Sequence, residues 1–82
     1  RKSDQLVNEM RRQQHFWLDS AVTAYREALA IDPGYGPAYR GLGLVAQARN
    51  DTAAMREHLA RYLALTPQAR DRRYIQHLLS AN

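Results

Sequence analysis

The chain contains no cysteine, so it can hold neither a disulfide framework nor a thiolate-bound metal. No apolar run approaches the roughly 18 residues of a membrane span. Phenylalanine and tryptophan occur once each, and all four glycines fall between positions 34 and 43. The chain opens on Arg1 with no signal-peptide pattern, which reads as a piece of a longer protein. What is present is ordinary for a folded domain: of 82 residues, 45% are hydrophobic and 24% charged, too apolar a balance for disorder. A chain of this size makes one small domain with a thin core.

Lysine is also nearly missing, since Lys2 is the single one among 12 cations. The arginines gather in two places, Arg11-Arg12 and Arg70-Asp71-Arg72-Arg73. Net charge is +4, and a basic surface attracts nucleic acid or anionic lipid. Without interleaved aromatics or a nucleic-acid motif, the clusters read as solvated helix faces balanced by Glu9, Glu27, Glu57 and Asp71. Nucleic acid is therefore not the expected partner.

Four stripes of apolar residues recur at helical spacing. They are Leu18, Ala21, Val22, Tyr25, Ala28 and Leu29; then Tyr39, Leu42, Gly43 and Ala46; then Met55, Leu59, Tyr62 and Leu63; and Tyr74, Ile75, Leu78 and Leu79. No segment alternates with period two, so the expected fold is all-α. Breakers separate the stripes. Pro33 removes a donor and pushes Asp32 out of helical space, and Gly34 and Gly36 permit a tight reversal. Pro37 suits the first turn of the next helix. Asn50 tolerates a left-handed angle and Asp51 can cap the helix that begins near Thr52. Pro67 ends that helix as Pro33 ends the earlier one.

Pro33 and Pro67 stand 34 residues apart, each at the end of a similar approach: Leu29-Ala30-Ile31-Asp32-Pro33 and Leu63-Ala64-Leu65-Thr66-Pro67. A helix–turn–helix period of 34 residues is the signature of tetratricopeptide repeats, and the chain resembles that family. Tyr39-x2-Leu42-Gly43 stands where the family has Trp-x2-Leu-Gly, and Ala21, Tyr25, Ala28 and Pro33 match its second helix. The resemblance implies antiparallel helix pairs: a degenerate first repeat over 1–34, a full repeat over 35–68 and a capping helix over 69–82. Gly43 lets the paired helices approach closely; Gly41 has no motif role. In the first repeat the positions equivalent to Tyr39, Leu42, Gly43 and Ala46 hold Gln5, Asn8, Glu9 and Arg12, and Phe16-Trp17 replaces the turn. Either the first helix packs in a shifted register, or one helix runs from about Ser3 to Ile31.

Residues that carry chemistry are few. His15, His58 and His77 lack metal-ligand spacing, and Ser3, Ser20 and Ser80 lack a nucleophile-elbow context. Glu57 and Arg61 read as a surface pair. No enzymatic activity and no cofactor or metal is expected. The resemblance implies instead a groove that holds a peptide or helix of a partner protein. Arg40, Leu44 and Gln47, opposite the packing stripe, are its candidates on the second repeat, with Leu6, Met10 and Gln13 one period earlier and Tyr74 and Leu78 on the last helix. Such a groove suits an apolar or amphipathic segment with an acid near Arg40. Leu6, Met10 and Leu44 argue against the basic clamp with which some members grip a chaperone's acidic tail. Phe16 and Trp17, bulky where a turn is expected, are candidates for self-association as a homodimer.

Overall fold

The computed structural model describes residues 2–80, apart from the side chains of residues 2, 3, 11, 13 and 14. It is all-helical: α1 spans Lys2–Ile31, α2 Gly36–Ala48, α3 Thr52–Leu65 and α4 Arg72–Ser80, with no strand among the described residues. Each helix packs on the next in sequence, α1 on α2, α2 on α3 and α3 on α4, and no other pair of helices packs together among those residues.

The breakers act close to where the residue types place them. Asp32 N–H donates to the Ala28 carbonyl at 2.8 Å and closes α1. The Asp32 carboxylate then accepts from Gly34 N–H at 3.1 Å, and Tyr35 N–H reaches the Asp32 carbonyl at 3.0 Å. Asn50 takes the left-handed angle, at φ 59°, and the Asp51 side chain caps α3 by accepting from Ala54 N–H at 3.2 Å. Gly34 and Gly36 differ from expectation, because neither adopts a positive φ. Gly36 matters for contact instead: a Cβ there would collide with the Thr66 hydroxyl and sit 3.6 Å from the Tyr62 ring.

For the first repeat, the second of the two alternatives holds, one helix rather than two. A helix–turn–helix first repeat is absent from the described residues: α1 is one helix of 30 residues that passes through Phe16-Trp17 without a break. Nothing in Lys2–Ile31 stops it, since this stretch contains neither glycine nor proline. At 1.5 Å per residue α1 is about 45 Å long, which accounts for the longest dimension of the molecule, 49 Å. Helix α2 has 13 residues and covers only the second half of α1, where Leu18, Ala21, Val22, Tyr25, Ala28 and Leu29 are partly buried.

Helix α2 is the centre of the packing, and its two inner glycines are why it can be. A Cβ on Gly43 would lie within 2.5 Å of Leu59 Cγ on α3, and a Cβ on Gly41 would collide with the Tyr25 ring of α1. Gly41, without a role in the sequence motif, thus receives the ring of the preceding helix. Tyr25 and Leu59 are themselves 34 residues apart. The core lies between α2, α3 and α4, where Ala46, Met55, Leu59, Tyr62 and Ile75 are buried together. Ala38, Leu42 and Val45 complete the buried faces of α2.

Replacing either glycine with leucine forces a fully formed side chain into these contacts and should destabilise the fold by about 1–3 kcal/mol. Urea unfolding of Gly41→Leu and Gly43→Leu measures this, and two unchanged midpoints would contradict the close approach of α1, α2 and α3.

Candidate functional site

Arg40, Leu44 and Gln47 do share one face of α2, as an i, i+4, i+7 set must. Gln47 is exposed, and Arg40 and Leu44 are half-buried. Tyr74, on α4, is 51% exposed; Leu78 is partly buried against the core. Met10 and Leu6 lie apart from this group. Arg49, just past α2, is ion-paired with Asp19 of α1, so Met10 sits about 13 Å further along α1, beyond the reach of α2. The side chain of Gln13 is outside the described residues. The groove candidates therefore do not line one continuous surface among the described residues; Arg40, Leu44 and Gln47 share a face of α2, and Arg40 reaches Asp71 in the turn before α4.

Arg40 does not stand ready for an acid on a partner. Its Nε donates to Asp71 Oδ2 at 2.6 Å, and the Tyr62 hydroxyl donates to Asp71 Oδ1 at 2.7 Å. One carboxylate thus ties α2, α3 and the turn before α4 together. Burial pushes the Asp71 carboxyl up, but the hydrogen bonds from Arg40 and Tyr62 outweigh it and hold the group below its ordinary value. The same bond to Asp71, with burial added, raises the Tyr62 phenol. The bond to Asp71 also raises Arg40. Asp71 had looked like a local counter-charge for its arginine neighbours. Its partners lie 31 and 9 residues away, at separations that no helical period marks.

Other charged groups are also paired in ways the sequence conceals. Arg61 lies over the Tyr39 ring, 5.5 Å from its centroid, and the described ion pairs do not include one between Glu57 and Arg61. His58 flanks the same tyrosine, with ring centroids 6.4 Å apart. Arg72 donates to the Pro67 carbonyl at 3.1 Å. The two arginine clusters sit on α1 and around the start of α4, helices that do not pack on each other among the described residues. No group of three or more metal-ligating side chains occurs among the described residues, and none of their helices is long and apolar enough to cross a membrane.

Phe16 and Trp17 are 66% and 70% exposed, although their rings meet edge to face with centroids 6.2 Å apart. The continuous helix carries the pair past the expected turn but leaves it uncovered. Between α1 and α3 a cleft of about 150 Å³ opens over α2, bordered by Val22, Arg26, Arg49, Asp51 and His58. That volume is below the usual range for small-molecule sites. Comparison with known proteins finds no family, no curated protein and no solved structure that matches this chain.

Asp71 makes the pH response of the fold specific. A carboxyl held below its unfolded value near 3.8 contributes its full stability above that value and loses it as pH falls through the lower folded one. Asp71→Asn should cost about 1–2 kcal/mol at neutral pH and flatten the acid limb of stability. Urea midpoints measured from about pH 6 down to pH 3 test this; parallel declines in the two proteins would remove the clasp.

Proposed function

We propose that the chain is a tetratricopeptide-like module that binds a segment of another protein along the outer face of α2. The family reading draws support from two glycine contacts of one kind, Tyr25 on Gly41 and Leu59 on Gly43, made by residues one 34-residue period apart. The α2–α3 hairpin is the full repeat, the second half of α1 supplies the preceding helix, and α4 caps the stack by burying Ile75. The binding reading rests on one observation above all. Leu44 remains partly exposed between half-buried Arg40 and exposed Gln47 on one face of α2.

Because Asp71 already neutralises Arg40, the surface selects for apolar content rather than for an acid. The ligand it suits is an amphipathic or apolar peptide, docked by side-chain burial against Leu44 and Tyr74 with Gln47 at the rim. Nucleic acid suits the surface less, since the arginine clusters stand on separate helices.

A random peptide library displayed on phage tests the reading. The chain should enrich amphipathic or apolar sequences, and Leu44→Glu should abolish the enrichment while costing about 1 kcal/mol of stability. Phe16→Ser, on a different face, should enrich the same peptides. Failure of the unmodified chain to enrich any sequence, or equal enrichment by Leu44→Glu, would overturn the assignment.

A further inference from the structure

Five of the nine exposed large hydrophobic side chains among the described residues lie between positions 6 and 17 of α1: Leu6, Val7, Met10, Phe16 and Trp17 are each between 46% and 70% exposed. Their spacing is not random. Positions 7, 10, 14, 17, 21, 24, 28 and 31 advance by alternating steps of three and four, and they hold Val7, Met10, Gln14, Trp17, Ala21, Ala24, Ala28 and Ile31. Seven of the eight are apolar and none is charged. Such a heptad stripe is the seam along which one helix packs lengthwise on another. Leu18, Val22, Tyr25 and Leu29, which face α2, lie to one side of it; along the seam Val7, Met10, Trp17 and Ala24 are exposed, and Ala21 and Ala28, at the edge of the α2 contact, are partly buried. Ile31, at its far end, is 87% exposed.

The order of residue sizes says what fits. Bulky Met10 and Trp17 occupy one half and three alanines the other. A parallel partner of the same sequence would set Trp17 against Trp17 and alanine against alanine, crowding one end and leaving a gap at the other. Reversing the partner removes both faults. With a two-fold axis beside residue 19, Trp17 meets the partner's Ala21, Met10 meets the partner's Ala28, and Val7 meets the partner's Ile31. Large faces small for Trp17 and Met10, the branched Val7 and Ile31 meet at each end, and each seam position of the a type meets one of the d type, as antiparallel helix pairs require. A surface complementary to itself under a two-fold rotation is the defining property of an isologous dimer interface.

We propose that the protein forms a homodimer in which the α1 helices of two copies pair antiparallel along this stripe. The contact runs for 24 residues, from Val7 to Ile31, or about 36 Å. Two copies would bury on the order of 1,500 Å² in total, the size of a specific and stable interface. The pairing also lays each partner's α2 beside the half of α1 that its own chain leaves bare, since α2 flanks the stripe on the side of Leu18 and Tyr25. The interface includes Trp17 and excludes Phe16, which projects from another face of α1. It does not depend on the peptide-binding reading, which concerns Leu44.

Sedimentation equilibrium over a wide concentration range should give a dimer whose dissociation constant rises about 30-fold or more in Trp17→Ser, as for the loss of a central aromatic anchor. Phe16→Ser should change it less than threefold. Trp17 is exposed in the single chain, so its replacement leaves the monomer fold intact, which circular dichroism checks. Orientation is read from single cysteines, which the chain otherwise lacks. Val7→Cys mixed with Ile31→Cys should form a disulfide between the two variants under mild oxidation, while neither variant alone should couple efficiently to itself. A monomer at every concentration overturns the proposal. So does a dimer indifferent to Trp17→Ser, or one in which Val7→Cys couples to itself.

Discussion

The rest of the fold depends on how closely two helices can approach α2. A helix sandwiched between neighbours on both sides must present small residues to each, and α2 does so with glycines two positions apart, which point to nearly opposite sides. Gly41 accepts a tyrosine ring from α1 and Gly43 a leucine from α3. Each glycine costs about 1 kcal/mol of helix propensity relative to alanine. The cost is offset by burying Leu59 completely and Tyr25 partly, side chains worth about 1.5–3 kcal/mol when fully removed from water. Without that approach α1 and α3 would lose their common support, for among the described residues they do not pack on each other.

A stack held together only between sequence neighbours has weak points at its ends. Helix α4 is nine residues long, too short to be stable alone, and it is secured in two ways. Ile75 is fully buried in the core, and Asp71, just ahead of the helix, is gripped by Arg40 and Tyr62. At the other end α1 has the Tyr25 contact and the Asp19–Arg49 pair. The polar links thus sit where the apolar contact is thinnest, and the side chain expected to meet a ligand's acid, Arg40, is one of them.

Most of the fold was legible in the sequence because its signals are local. The four apolar stripes, the left-handed Asn50, the Asp51 cap and the helix ends before Pro33 and Pro67 all follow from residue types within a few positions. What was not legible depends on distant partners or on an absence of contact. The spacing of Leu6, Met10 and Trp17 reads the same whether a neighbouring helix covers them or not, so periodicity could not say that this half of α1 lies open. Gly41 had no meaning without Tyr25 opposite it, and Arg40 looked available because Asp71 is far away in the chain. Of the candidate surface, the face of α2 was legible as a face; its charge was not, since pairing cancels it.

The continuity of α1 has a mechanical consequence. With no glycine or proline between Lys2 and Ile31, the helix has no built-in joint, and its hydrogen bonds run unbroken through Phe16-Trp17. A force applied to the half that α2 leaves uncovered cannot be absorbed by a hinge there. It passes as a torque to the second half, where the fulcrum is the Tyr25 ring seated on Gly41. The helix is a lever with a long arm from Tyr25 back to Lys2 and a short one on to Ile31, and a sideways pull on the long arm is resisted at that seat and at the Asp19–Arg49 pair.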